Sequence, residues 1–118
     1  MERVLVVDDS PTDLHLITGY LRKHGYQALA ATNGADAIST AKSERPDLIL
    51  MDIVMPEMNG FEATRTLSRD PETAQIPVVM VSSKSQETDK IWGMRQGAAD
   101  YLVKPVTEDM LIKKIETL

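Results

Sequence analysis

Leu48-Ile49-Leu50-Met51-Asp52-Ile53-Val54-Met55-Pro56 is the stretch that decides how this chain folds. Four consecutive large apolar residues without polar alternation describe a strand buried on both faces, as in the middle of a parallel sheet. The run then meets an acid. A carboxylate directly after a central strand stands at the carboxyl edge of the sheet, where open α/β folds bind ligands. Asp52 is therefore the first candidate for the working residue.

A second run of the same kind, Val4-Leu5-Val6-Val7, opens the chain and ends on Asp8-Asp9-Ser10-Pro11. Ser10 reads as an N-cap and Pro11 as a first helical residue, where the missing N–H costs nothing. Leu14, Ile17 and Leu21 then recur at helical spacing up to a stop at His24-Gly25. Gly19 inside this helix costs roughly 1 kcal/mol in propensity, and nothing in the sequence accounts for it. Tyr26 to Ala31 is a less apolar strand, expected near an edge, followed by an Asn33-Gly34 turn and a helix over 35–43. Beyond Asp52 the pattern continues with a helix from about Phe61 to Arg69 and a strand over 78–81. Ser82-Ser83-Lys84-Ser85 forms a polar loop, and a helix over 87–96 is closed by Gly97. A short strand over 101–103 ends at Lys104-Pro105. Thr107 caps the last helix, with Glu108 and Asp109 where the helix dipole favours acids.

Five strand–helix units in a row imply an α/β fold, (βα)5, with right-handed crossovers and a doubly wound parallel five-stranded sheet. The order 2-1-3-4-5 places strand 3 in the middle with strands 1 and 4 beside it. Residues 1–118 read as one domain, large enough to bury a core without disulfides. There is no cysteine, which excludes a disulfide framework, a thiolate nucleophile and a Cys-ligated metal site. A net charge of −5 argues against a nucleic-acid surface. His15 and His24 lack metal-ligand spacing, and each reads as a surface or helix-end residue. No signal-peptide core or membrane-spanning stretch is visible, so a cytoplasmic protein without membrane insertion is expected.

What stands at the strand ends carries the chemistry. Asp8 and Asp9, Asp52, Ser82 and Lys104 each stand directly after a strand, so a parallel sheet brings them to one edge. Each alone has a bland reading as a cap, a turn residue or a solvated lysine; only the joint placement points to a site. Three carboxylates in one pocket repel one another unless a cation neutralises them. Mg²⁺ fits, since it takes oxygen ligands and is often held by one or two carboxylates beside a phosphate. Lys104 offers a point charge to a phosphoryl oxygen and Ser82 a hydrogen bond. A carboxylate can itself accept a phosphoryl group. In that scheme Asp52 attacks and needs no separate base.

With these residues in place, the chain resembles the receiver domain of bacterial two-component response regulators, of the CheY-like, flavodoxin-like fold. The resemblance is carried by Val4 to Ser10, Met51 to Gly60, Ser82, and Tyr101-Leu102-Val103-Lys104-Pro105. It implies a signalling switch rather than an enzyme, with Asp52 taking phosphate from the phosphohistidine of a histidine kinase. It implies Mg²⁺ held by Asp9, Asp52 and the backbone carbonyl of Val54, with Asp8 acting mainly through bound water. Lys104 would contact the phosphoryl group, Ser82 and Tyr101 would form the switch pair, and the Lys104-Pro105 bond would be cis. Asp8-Asp9-Ser10-Pro11-Thr12, Asp52 to Pro56 and, outside the site, Gln86 to Ala98 resemble the PilH-type stand-alone regulators. That narrower likeness implies a CheA-like kinase and a downstream motility protein in twitching by type IV pili, with this chain as effector or phosphate sink.

The family often has a small alanine-like residue after the switch hydroxyl, from which Ser83 departs mildly, and the resemblance implies that Val54 and Lys84 occupy variable positions that tune phosphate lifetime. On the helix over 87–96, Ile91, Met94 and the following Ala98 are expected to face inward, with Trp92 on the flank beside Tyr101 as a partly buried residue or partner contact. Met51, Met55, Met58 and Met80 read as core filler. With no output domain after the last helix of this sequence, signal is expected to leave by protein contact or phosphate flow. Two other readings stay open: a receiver-like binding module that does not use phosphate, and an Asp-nucleophile phosphatase, which would want a DxD pattern after its first strand.

Overall fold

The computed structural model describes residues 2–118, and its five strands lie in one parallel sheet of order β2-β1-β3-β4-β5. In chain order these are β1 (Arg3–Val7), α1 (Pro11–Lys23), β2 (Gln27–Ala31), α2 (Gly34–Glu44), β3 (Leu48–Met51), α3 (Gly60–Arg69), β4 (Val78–Ser82), α4 (Glu87–Arg95), β5 (Asp100–Val103) and α5 (Glu108–Glu116). β3 takes the central place that its unbroken apolar run requires, and all four of its residues are buried.

Side chains alternate across a strand, and the core divides accordingly. Leu5, Val7, Ile49, Met51, Val78 and Met80 face the layer of α2, α3 and α4, where Ala37, Ala41, Ala63 and Leu67 meet them. Val4, Val6, Leu48, Leu50, Val79 and Val81 face α1 and α5, packing against Ile17, Leu21, Leu111, Ile112 and Ile115. Met51, Met55 and Met80 are buried and Met58 packs against the same core, as filler should.

The caps at Ser10 and Thr107 fall where the sequence places them, while Asn59, expected in the loop after Asp52, also caps a helix. Ser10, Asn59 and Thr107 each accept a backbone N–H of the first turn, and Pro11 is the first residue of α1. Asn33 does the same for α2, so Asn33-Gly34 is a helix start rather than a free turn. Gly25 and Gly97 take left-handed φ values of +86° and +108° behind α1 and α4. Ser82 is the last residue of β4 rather than the first of a loop.

The expected inward stripe of α4 is incorrect. Ile91 and Met94 are exposed, as is Trp92, and the helix instead buries Gly93. A Cβ at Gly93 would stand 3.3 Å from Met80 Cγ and 3.5 Å from Tyr101 Cδ2. Close backbone approach, not an apolar stripe, therefore sets the rotation of α4, while Ala98 is buried beyond its end.

Candidate functional site

One ladder hydrogen bond beyond each of three strands sets up the site. Asp8 N–H donates to Ala31 O at 3.1 Å, Asp52 N–H to Val7 O at 2.9 Å and Lys104 N–H to Ser82 O at 2.9 Å. These bonds carry the extended backbone one residue past the strand ends, so Asp8, Asp52 and Lys104 emerge together at the carboxyl edge. Asp8 and Asp52 are buried, at 2% and 7% exposure, while Asp9 is open to solvent. One carboxylate oxygen from each of Asp8, Asp9 and Asp52 lies within 4.8 Å of the others.

The loop after β3 is shaped by Gly60. Its N–H donates to Ile53 O at 2.8 Å, and a Cβ at this position would stand 2.0 Å from the Asp52 carbonyl oxygen. Only glycine lets the start of α3 close on the Asp52–Ile53 backbone. Within the loop, Asp52 Oδ1 accepts the Ile53 N–H at 2.9 Å. The Lys104-Pro105 peptide is cis.

Charge is distributed unevenly. Burial, and after it the negative charge of Asp8, push the Asp52 carboxyl up to about 6, against the pull of Lys104 and the Ile53 N–H. Lys104 Nζ stands 2.7 Å from Asp8 Oδ2, 2.9 Å from Asp13 Oδ2 and 3.7 Å from Asp52 Oδ1. Burial works against its charge, but the bonds to Asp8 and Asp13 and the field of Asp52 outweigh it and hold the ammonium above its ordinary range. The acid cluster thus keeps excess negative charge, all of it on oxygen. That donor set fits Mg²⁺.

Ser82 is fully buried, and its Oγ accepts the Lys84 N–H at 3.3 Å. Tyr101 is half-buried, and its hydroxyl donates to Lys84 O at 2.6 Å. The Lys84 backbone therefore joins the two candidate switch residues. Among the described residues, no hydrogen bond joins Ser82 to the acid cluster. Val54, at 58% exposure, stands outside the pocket's core, and Trp92 is exposed on α4. Two contributors escape the motif reading. Gly60 lies within the motif but its close approach to the Asp52 backbone leaves no mark in the spacing, and Asp13 has the look of an ordinary first-turn acid.

A family model described as "Response regulator receiver domain" matches residues 4–116. The chain belongs to the response regulator receiver family. This receiver is 57% identical over 118 residues to Protein PilH of Pseudomonas aeruginosa, a match spanning 100% of this chain and 98% of that protein. It is 38% identical to the response regulator PleD of Caulobacter vibrioides over 116 residues, which cover 98% of this chain but 26% of PleD. Among solved structures, chemotaxis protein CheY4 of Vibrio cholerae superposes with a TM-score of 0.93 at 31% identity, covering 99% of this receiver and 98% of that chain. Receivers are signalling proteins, and this one is PilH-like with a CheY-like fold. No helix among the described residues is long and apolar enough to cross a membrane.

Proposed function

We propose that this receiver is a phosphorylation-dependent switch whose acceptor is Asp52, loaded by a CheA-like histidine kinase in a pathway of type IV pilus motility. The observation that carries the reading is the convergence at one sheet edge of a buried carboxylate, two further acids and a lysine ammonium. The PilH-like sequence, including the stretch from Gln86 to Ala98 outside the site, supports the pathway.

Chemically, an Asp52 carboxylate oxygen attacks the phosphorus of a phosphohistidine. The new P–O bond forms as the P–N bond breaks, and the electron pair leaves with the imidazole. Lys104 lies beside the acceptor and neutralises charge on the phosphoryl oxygens. Asp9, Asp52 and the Val54 carbonyl would hold Mg²⁺, with Asp8 acting through water; when bound, the ion screens the acids from the incoming phosphate. Ser82 then turns its hydroxyl from the Lys84 N–H to the phosphoryl group. That breaks one of the two bonds converging on Lys84, and the surface near Tyr101 and Trp92 changes. A downstream motility protein reads that surface, or the phosphate is simply drained.

Incubation with Mg²⁺ and acetyl phosphate tests this. The expected product is an acid-stable, base-labile protein phosphate that is lost in Asp52→Asn. Sustained turnover of external phosphoesters would instead favour a phosphatase, and no labelling would favour a phosphate-independent binding module.

A further inference from the structure

Asp13 is the third residue of α1, and its N–H is capped by Ser10 Oγ at 3.3 Å. A Ser-x-x-acid start commonly closes as a capping box, with the acid returning to the N-cap N–H. Here that donor is already taken, because Ser10 N–H donates to Asp8 Oδ1 at 2.9 Å. The Asp13 carboxylate instead reaches across to the end of β5 and accepts from Lys104 Nζ at 2.9 Å.

An ammonium has three donors. Asp8 and Asp13 each hold Lys104 at hydrogen-bond distance, while the nearest Asp52 oxygen, at 3.7 Å, is a charge contact only. The two held partners are unequal. Asp8 is 2% exposed and would be stranded without its cation, at a large desolvation cost. The Asp13 side chain is 39% exposed and can turn into water at small cost. When phosphoryl oxygens compete for the ammonium, Asp13 is the partner that yields.

We infer that Asp13 is a positioning residue that holds Lys104 toward α1 in the resting protein and competes with the phosphoryl group on Asp52 for its ammonium. The inference rests on the phosphoacceptor reading above. It gives the receiver a built-in bias toward the resting form, set by one half-exposed carboxylate on α1.

Fluoroberyllate, a tetrahedral mimic of a phosphoryl group that adds to a carboxylate, tests it without chemistry. Its affinity at saturating Mg²⁺ is measured by fluorine NMR for the wild type, Asp13→Asn and Asp13→Glu, together with the ammonium resonance of Lys104 in each resting protein. Asp13→Asn is expected to bind about two- to fivefold tighter, the size of a half-exposed ion pair. Asp13→Glu is expected to return toward wild type, and the Lys104 resonance to move in Asp13→Asn before any ligand is added. Equal or weaker binding by Asp13→Asn overturns the inference, including the case where only folding stability falls, which is the signature of a helix-capping role. Binding by none of the three proteins overturns the phosphoacceptor reading, and this inference with it.

Discussion

At the scale of single residues, the site is under electrostatic tension that pH should expose. Asp52 titrates at about 6 in the folded protein, because burial and Asp8 disfavour its charge, against about 4 in an unfolded chain. Between those values the folded chain keeps a proton that the unfolded chain has released, so folding stability falls as pH rises through the window. Above it the full penalty stands, and below pH about 4 it is gone. Without Mg²⁺, Asp52→Asn should therefore stabilise the protein by about 1–2 kcal/mol near pH 8 and by almost nothing near pH 4, after discounting for the pocket's opening to water. Urea unfolding at the two pH values measures this; equal gains at both would remove Asp52's charge as the cause. Mg²⁺ should raise the melting temperature of the wild type more than that of Asp52→Asn, since it relieves the same repulsion. Val54 makes a different prediction. Its exposed isopropyl group cannot orient an attacking water, so Val54→Asn should shorten the lifetime of the phosphorylated form several-fold in a dephosphorylation time course. An unchanged decay would show that this position does not control water.

Elements were legible in proportion to how local their causes are. Ser10-Pro11 and Thr107 announce helix starts through backbone chemistry that needs no partner, and Ser10 and Thr107 each cap their helix. The face that α4 buries was not legible, because its cause is an absence. Gly93 lets the helix backbone approach Met80 and Tyr101, which leaves Ile91, Trp92 and Met94 outside. An apolar count along the helix points the opposite way. Gly19 and Gly60 show the same contrast between glycines. A Cβ at Gly19 meets nothing within 4 Å, so Gly19→Ala should stabilise α1 by about 0.5–1 kcal/mol, read as a shift in the urea midpoint. A Cβ at Gly60 collides with the backbone of Asp52 and Ile53. Gly60→Ala should therefore destabilise by about 1–3 kcal/mol and slow phosphorylation of Asp52, whereas Gly19→Ala should leave that rate alone.

For the whole molecule, the division of labour follows from the sheet. Strict alternation in β1, β3 and β4 fills two cores, one under α2, α3 and α4 and one under α1 and α5. The parallel direction then delivers Asp8, Asp52, Ser82 and Lys104 to one edge. The strand count, order and edge were readable because an all-apolar strand must be covered on both faces, which places it inside a parallel sheet. The finer wiring was not. Asp13 is bound to Lys104 while Ser10's N–H is committed to Asp8, an arrangement that three-dimensional proximity makes and spacing does not. Ser82 and Tyr101 likewise meet through the backbone of Lys84, a residue with no motif of its own. The central claim is that this edge exists to make Asp52 a covalent phosphate acceptor. Its most direct test is to phosphorylate the protein with acetyl phosphate and Mg²⁺, reduce it with labelled borohydride, which converts an aspartyl phosphate to homoserine, and map the label by peptide. Label at position 52 alone is the expected result; label at Asp8, Asp9 or Asp13, or none at all, would contradict the account.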